Sequence, residues 1–193
     1  MAVLVHKLLE GETAVPIKTV YLAGPLTGLT YRDARHGWRE EFAKMLPAHI
    51  LPLSPMRGKD SLMGEVDIQG DPDMYPSNAL CSASGIVTRD RNDVKNCDVM
   101  VACFLGMTER KSSIGTCVEF GWADAYRKPV IMVIEDDPNG SYTDSDGITR
   151  TIVNSGKKAN IHLHAFLTEI AGYRVNNLEE AAEIVRCLLA PGV

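Results

Sequence analysis

The chain has 193 residues, a formal net charge of −5, and 45% hydrophobic against 23% charged residues. This size and balance predict a single domain over residues 1–193 with room for a substantial core. The acidic balance argues against a nucleic-acid partner, and no apolar run is long enough to span a membrane. Five scattered cysteines without metal-ligand spacing predict reduced thiols in a cytoplasmic protein.

Strand and helix patterns alternate along the first half of the chain. Residues 1–17 are predicted to be an N-terminal extension, forming either an extra strand or a loose arm. A buried strand over residues 19–24 runs into a Pro- and Gly-containing turn, and apolar residues at helical spacing predict a helix over 32–46. A short strand over 49–53 leads into residues 54–84, which are rich in Gly, Pro, Ser and Asp. Loops of that length usually serve as lids or binding loops or are disordered, and we expect a long active-site loop.

The second half of the chain continues this alternation. The pattern predicts helices over 85–97 and 113–127, and buried strands over 98–105, 130–134 and 173–175. Further predicted features are a polar turn region over 136–147, a short strand near Ile161 and a helical turn over 164–171. Asn177 is expected to cap a final helix, with Glu180 in the capping-box position.

The stretch from Ser113 to Ala123 opens a helix directly after the clearest apolar strand. Ser113 is a good N-cap, and Gly115 keeps the first turn slim enough for a ligand to approach the backbone. Glu119 follows about one and a half turns later. It lies beside an apolar stripe that is predicted to pack on the sheet, consisting of Ile114, Val118, Trp122, Ala125 and Tyr126. A carboxylate at the rim of a buried face is either well paired or functional.

Alternating strands and helices predict a parallel sheet that is covered on both faces. Ligands of such sheets bind at the carboxyl ends of the strands, where the strand order reverses. That edge gathers the turn after the first strand, the 54–84 loop and the start of the 113–127 helix. We therefore expect the candidate functional residues to converge on one edge of the sheet.

Several short motifs follow one another along the predicted core. They are Val20–Pro25, Arg89-Asp90, Asn96–Met100, Gly115–Ala123 and Lys128-Pro129. In their order and spacing they resemble the nucleoside 2-deoxyribosyltransferase family, over about residues 19–135. The resemblance implies a flavodoxin-like three-layer α/β sandwich with a central parallel sheet of about five strands.

The resemblance also implies an enzyme that breaks the N-glycosidic bond of a nucleoside or nucleotide and passes the sugar to water or to another base. Glu119 matches the glutamate that attacks the anomeric carbon and forms a covalent glycosyl intermediate. Tyr21 matches the tyrosine that orients this glutamate, and Asp90 matches the aspartate associated with the departing base. No metal or other cofactor is implied. Subunits of the family complete one another's sites, so a homodimer or a higher homo-oligomer is implied.

The chemistry of these residue types agrees with such roles. Retaining glycosidases use two carboxyl groups about 5 Å apart, one as nucleophile and one to assist the leaving group. A protonated Asp90 near the ring nitrogens of the base would lower the barrier to its departure. A phenol hydroxyl bonded to Glu119 would fix the carboxylate and leave one oxygen free to attack.

One departure from the family pattern concerns the substrate. Six residues before the catalytic glutamate, members that use free nucleosides tend to carry an aspartate. This chain has Ser113 there, as in relatives that hydrolyse nucleoside 5′-monophosphates. A hydroxyl beside N–H groups at a helix N-terminus suits a phosphate dianion, so we expect a nucleotide substrate. Further substrate-binding candidates, chosen by position, are Gly24, Thr27, Gly28, Arg57, Lys111 and Gly115.

Other interpretations stay open on the sequence alone. Glu119 could be a solvated helix residue, and Asp90 could merely decorate its helix, with Asp93 and Asp98 as rivals. A non-catalytic nucleotide-binding or sensing domain would keep the same fold. A cytokinin-activating-type phosphoribohydrolase carries a GGxGTxxE motif that resembles residues 112–119, but its paired glycines are absent here.

Overall fold

The computed structural model describes most of the predicted core. The described residues are 15–60, 68, 73, 75–76, 81–105, 113–134, 141–143, 149–151, 153–154, 157–158 and 165–191. Most of the predicted N-terminal extension lies outside them, as do much of the 54–84 loop, Lys111 and the strand predicted near Ile161.

Nine β-strands lie within the described residues. They are Lys18–Ala23 (β1), Ile50–Leu53 (β2), Val99–Cys103 (β3), Val130–Val133 (β4), Ser141–Thr143 (β5), Thr149–Thr151 (β6), Val153–Asn154 (β7), Lys157–Lys158 (β8) and Tyr173–Val175 (β9). A parallel sheet in the order β2–β1–β3–β4–β9 forms the centre of the fold. Tyr21 on β1 lies opposite Leu53 on one side and Met100 on the other. The strand order reverses beside β1, which confirms the predicted flavodoxin-like sheet and directs attention to the carboxyl ends of β1 and β3.

The other four strands pair as two short antiparallel hairpins, β5 with β6 and β7 with β8. The prediction of a polar turn region over residues 136–147 is wrong where Ser141–Thr143 forms β5. Strand prediction depends on an apolar face, and the short runs Ser-Tyr-Thr and Thr-Arg-Thr do not supply one.

Six helices are described, and none of them is long and apolar enough to cross a membrane. They are Tyr31–His36 (α1), Trp38–Lys44 (α2), Ala83–Asn96 (α3), Ile114–Ala125 (α4), Ala165–Ile170 (α5) and Leu178–Leu188 (α6). The single helix predicted over 32–46 is in fact two helices, separated at Gly37, where the backbone has φ −74° and ψ −136°. A Cβ at Gly37 would lie 2.4 Å from the carbonyl oxygen of Asp33, so this sharp break depends on glycine.

Helices cover both faces of the sheet, which gives the fold three layers. One face packs against α2 and α6, with Leu22, Phe42 and Val185 in its core. The other face packs against α3, α4 and α5, with Tyr21 and Phe120 in its core. Because successive residues of a strand point to opposite faces, the Tyr21 side chain is directed toward α3 and α4.

Helix α4 turns a different side to the sheet from the one that its apolar stripe predicts. Its buried residues are Thr116, Glu119, Phe120 and Ala123. Ile114 is 80% exposed, and Val118 and Tyr126 are exposed as well. The prediction that the stripe packs on the sheet is therefore wrong for most of its residues, and Trp122 alone among them packs against the core. The ring centroid of Phe120 lies 6.2 Å from that of Phe104 in the core. The side of the helix that packs there also carries Glu119, so this polar residue is buried with Phe120.

Side chains fix the starts of β1 and α6, and the predicted cap at Asn177 is confirmed. Asp98 holds the start of the sheet, because its Oδ2 accepts a 2.7 Å hydrogen bond from the backbone N–H of Thr19. Asn177 caps α6, with its Oδ1 accepting from the N–H of Glu180 at 2.8 Å. The Glu180 carboxylate reaches back one residue beyond the cap, because its Oε2 accepts a 3.2 Å hydrogen bond from the N–H of Asn176.

Candidate active site

Tyr21 and Glu119 meet near the carboxyl end of β1, between the sheet and α4. Tyr21 is fully buried, and its hydroxyl donates a 2.5 Å hydrogen bond to Oε1 of Glu119. Burial, followed by the negative charge of Glu119, raises the pKa of Tyr21 well above its usual value, so the phenol keeps its proton. The bond fixes one carboxylate oxygen and leaves Oε2 without a hydrogen bond among the described residues.

Glu119 itself is almost completely buried, and burial raises the pKa of its carboxyl group from 4.5 to about 7. The hydrogen bond from Tyr21 lowers this pKa, the Asp90 carboxylate raises it, and the cations of Arg39 and Lys59 lower it. A substantial fraction of Glu119 is therefore ionised at neutral pH although little water reaches it. A carboxylate that is poorly hydrated and held in one orientation is suited to nucleophilic attack.

Asp90 lies on α3, within electrostatic reach of Glu119. Its Oδ1 accepts hydrogen bonds from Nε and Nη2 of Arg89 at 3.2 and 3.1 Å. Its Oδ2 lies 3.9 Å from Nζ of Lys59, which is also buried. Burial raises the pKa of Asp90, while the charges of Lys59 and Arg89 lower it. The fold thus brings Asp90 together with Glu119 and adds two cations to which the sequence assigned no role.

Arg39 is a third cation that sequence reasoning missed, and it is among the largest fully buried side chains of the described residues. Its guanidinium donates to the carbonyl oxygens of Leu22, Gly24 and Ala34 at 3.2, 2.9 and 3.1 Å. Strand β2 pairs with β1 only as far as Tyr21. The carbonyls of Leu22 and Gly24 lie beyond that point, and the Arg39 guanidinium binds them there. A charged residue in a helix is ordinarily expected to be exposed, and no pattern in the sequence marks this one as buried.

The turn after β1 carries three of the predicted substrate-binding residues. Gly24 and Gly28 have positive φ angles of +155° and +86°. A Cβ at Gly24 would lie 2.9 Å from the carbonyl oxygen of Cys103, so glycine allows the ends of β1 and β3 to approach each other. The N–H of Gly28 donates to the carbonyl of Ile68, which ties the long loop to this turn. Thr27 is exposed at the tip, whereas the Gly28 N–H is already engaged.

Ser113 caps α4, as its position predicts. Its Oγ accepts hydrogen bonds from the backbone N–H and the hydroxyl of Thr116, at 3.4 and 2.9 Å. With both lone pairs engaged, the Ser113 hydroxyl can still donate one hydrogen bond to a ligand. A Cβ at Gly115 would meet nothing within 4 Å, so the first turn of α4 presents an open surface.

Arg57 lies at the margin of the cluster and is partly exposed. It forms an ion pair with Asp93, one of the two rivals to Asp90. Its backbone carbonyl accepts a hydrogen bond from Nη1 of Arg89, whose Nη2 also donates to the carbonyl of Pro55 at 2.9 Å. Arg57 and Asp93 are therefore engaged with each other, and the backbone after β2 holds Arg89 against Asp90.

Two clefts lie on the described surface, and Tyr21, Asp90 and Glu119 line neither of them. One of about 380 Å³ lies between β9 and α6. The other, of about 260 Å³, lies between α2 and the residues after β2, where Arg39 and Arg57 contribute to its wall. Within the described part of the chain, no three His, Cys, Asp or Glu residues are grouped in a way that could hold a metal ion.

A family model for nucleoside 2-deoxyribosyltransferases matches residues 20–178. The chain belongs to this family. The matched span contains Tyr21, Asp90 and Glu119, and it reaches beyond the region over which the sequence motifs resemble the family. No curated protein matches the chain significantly in sequence. Family membership makes the chain, at that level, a glycosyl-transferring enzyme that acts on small nucleoside-type substrates.

Solved structures share the fold. A conserved protein from Enterococcus faecalis V583 is 18% identical with a TM-score of 0.56, and the alignment covers 89% of this chain and 98% of that one. A 2-desoxiribosyltransferase from Leishmania mexicana is 21% identical with a TM-score of 0.51, covering 88% of this chain and 96% of that one. At these identities the likeness establishes the three-layer fold, in agreement with the sheet order described above.

Proposed function

We propose that this deoxyribosyltransferase-family enzyme cleaves the N-glycosidic bond of a nucleoside 5′-monophosphate, or of a nucleoside, through a covalent glycosyl intermediate on Glu119. The observation that carries the proposal is the buried pair of Tyr21 and Glu119, joined by a 2.5 Å hydrogen bond at the carboxyl edge of the sheet. A solvated helix residue would have neither this burial nor this partner. A domain that only bound nucleotides would gain nothing from burying an incompletely paired carboxylate.

The first chemical step follows from this pair. Tyr21 holds Oε1 of Glu119, and Oε2 attacks the anomeric carbon of the sugar while the bond to the base breaks. Water or a second base then attacks the same carbon from the side that the first base left. Displacement of Glu119 restores the carboxylate, which the Tyr21 hydroxyl stabilises.

A 5′-monophosphate is the substrate class that the start of α4 favours. Ser113 retains one hydrogen-bond donor after its two bonds from Thr116, and the surface beside Gly115 is open. The N–H groups and the positive end of the helix dipole add to the attraction for a dianion. An aspartate in place of Ser113 would repel it.

A homodimer or larger homo-oligomer is the assembly that we expect. Ile114, Val118 and Tyr126 form an exposed apolar face on α4, the helix that carries both Ser113 and Glu119. A second copy that covered this face would lie next to the proposed phosphate site. Val118→Lys should then lower the mass measured by light scattering to that of a monomer and reduce activity.

A substrate panel tests the proposed reaction. The protein is mixed with each ribo- and deoxyribonucleoside and each 5′-monophosphate, with and without a different free base, and the products are separated. Release of free base from monophosphates alone supports a nucleotide hydrolase, and base exchange supports a transferase. Glu119→Gln should be inactive, and Glu179→Gln, an exposed glutamate on α6, should retain activity. Tight nucleotide binding without any product from the wild type would overturn the proposal.

A further inference from the structure

Lys59 is a buried ammonium whose hydrogen bonds are incomplete. It follows β2 in a turn, where its backbone N–H donates to the carbonyl of Met56 at 3.3 Å, and its side chain is only 5% exposed. The nearest carboxylate oxygen, Oδ2 of Asp90, lies 3.9 Å from Nζ, which is too far for a hydrogen bond. Within the described part of the chain, no acceptor bonds to this ammonium. Three buried N–H donors without acceptors are costly unless a ligand supplies the acceptor.

The partner of Lys59 is held as a carboxylate. Arg89 donates twice to Oδ1 of Asp90, and Lys59 faces Oδ2, so both oxygens of Asp90 lie toward cations. Arg89 is itself fixed by backbone carbonyls of the turn after β2. In a pair of this kind, the atom that carries a proton is Nζ of Lys59 and not an oxygen of Asp90.

Burial also changes the acidity of Lys59. It lowers the pKa of the ammonium from its usual value, although the Asp90 carboxylate opposes the change. A poorly hydrated lysine gives up its proton more readily than a solvated one. The same group lies close enough to Glu119 to lower the pKa of that carboxyl group, so nucleophile and ammonium belong to one site.

We propose that Lys59 is the general acid that protonates the departing base, and that Asp90 positions it. This inference rests on the proposed N-glycosidic cleavage. As Glu119 Oε2 bonds to the anomeric carbon, the electron pair of the N-glycosidic bond moves to the base, and the base takes a proton from Nζ. When water then attacks the anomeric carbon, the electron pair of the ester bond returns to Glu119. The proton lost by the water restores the ammonium.

This assignment differs from the one that the family resemblance implies, in which a protonated Asp90 assists the base. Here the Asp90 carboxylate keeps Lys59 in place and stabilises its positive charge electrostatically. Asp90 can also accept a hydrogen bond from an N–H of the base. A donor and an acceptor 3.9 Å apart would select bases that present an acceptor and an N–H side by side.

The test compares two leaving groups on the same sugar. The nucleotide or nucleoside that the wild type cleaves fastest needs a proton on its base, whereas the matching 4-nitrophenyl glycoside leaves as a stable anion. Lys59→Met should lower kcat for the natural substrate by roughly 10²- to 10³-fold and for the nitrophenyl substrate by less than about threefold. Lys44→Met, an exposed lysine on α2, should change neither rate.

A second variant separates acid catalysis from charge alone. Lys59→Arg keeps the positive charge beside Asp90 but cannot release a proton at neutral pH, so it should show the same selective loss as Lys59→Met. In Lys59→Ala, added methylamine should restore cleavage of the natural substrate and leave the nitrophenyl rate unchanged.

Equal loss on both substrates, or full activity of Lys59→Arg on the natural one, would overturn the role of Lys59 while leaving cleavage by Glu119 intact. Absence of any wild-type cleavage would instead remove the proposed function and this inference together.

Discussion

The central and the edge part of the sheet differ in the residues that they bury. Around the central strands β1 and β3, one cluster buries hydroxyl, carboxyl, ammonium and guanidinium groups, from Tyr21, Glu119, Asp90, Lys59 and Arg39. At the edge formed by β9 and α6, the buried residues are apolar and the polar groups serve as helix caps; the buried residues there include Val175, Leu178, Ala181, Ala182 and Val185. Both regions belong to the same parallel sheet and are covered by helices.

This difference in buried residues distinguishes the packing that the fold requires from the charged groups that the proposed chemistry requires. The apolar β9 edge shows that this sheet can be covered by ordinary packing. Buried charges are retained around β1 and β3 although they lower stability unless well paired, and Lys59 and Glu119 are incompletely paired. The central region therefore sacrifices some stability, which the proposed chemistry would explain, and variants in the two regions should behave differently.

The largest contrast is expected in activity. Glu119→Gln removes the proposed nucleophile with little change of side-chain shape and should lower kcat by roughly 10³-fold or more. Val185→Ala in α6 should cost roughly 1–3 kcal/mol of unfolding free energy and leave kcat near the wild-type value. Steady-state kinetics measure kcat of both variants, and urea unfolding measures their stability. A Val185→Ala variant that is folded but as inactive as Glu119→Gln would contradict this difference.

The second contrast is in the pH dependence of stability. The carboxyl group of Glu119 has a pKa raised from 4.5 to about 7, so ionisation is disfavoured in the folded state. The stability associated with the neutral Glu119 carboxyl group is fully present below about pH 4.5. It is lost as the pH rises through about 7, where the group ionises in the folded state. By pH 8 the wild type should have lost about 3 kcal/mol relative to Glu119→Gln. Urea unfolding of both proteins between pH 4.5 and 8 measures this, and parallel pH profiles would contradict it.

Tyr21→Phe should produce a smaller effect on the same carboxylate. Removing the hydroxyl takes away a hydrogen bond that lowers the pKa of Glu119, so that pKa should rise above about 7. The acidic limb of the kcat/KM profile should move to higher pH, with a loss of roughly 10- to 100-fold at neutral pH. Tyr173→Phe, at the exposed start of β9, is the matched control. An unmoved limb in Tyr21→Phe would mean that the phenol does not tune the nucleophile.

The smallest contrast compares two helix caps. Ser113→Ala and Asn177→Ala each remove a side-chain cap and should each cost about 1 kcal/mol of unfolding free energy. Ser113→Ala should in addition raise KM for 5′-monophosphates roughly tenfold, because the proposed hydrogen bond to the phosphate would be lost. An equal KM for the two variants would remove the phosphate role of Ser113.

Much of this arrangement could be predicted from local patterns. The central strands are continuous apolar runs. Because they alternate with helices, they form a parallel sheet, and the carboxyl ends of all its strands lie at one edge. That is why the turn after Tyr21 and the start of the helix that carries Glu119 were expected at one edge, whereas only the family resemblance assigned Asp90 to the same site. The break at Gly37 and the hairpins could not be read from periodicity, since one depends on a close backbone contact and the others lack an apolar face.

The cations were not predictable for a different reason. Lys59 and Arg39 are buried by contacts with carbonyls and a carboxylate from other parts of the chain, and a charged residue in a sequence gives no sign of such partners. The rotation of α4 was mispredicted because most of its apolar stripe faces outward. Burial of Glu119 is thus visible only once the whole site is assembled.

The most direct test of the proposed function is the covalent intermediate itself. The wild type is quenched in acid during turnover of a substrate with a 2-fluoro sugar, which slows loss of the intermediate, and the tryptic peptides are weighed by mass spectrometry. Trypsin should release residues 112–127 as one peptide. We expect this peptide to gain the mass of the glycosyl group, with fragmentation assigning the gain to Glu119. Release of base with no added mass on this peptide, or a gain at another residue, would contradict nucleophilic attack by Glu119.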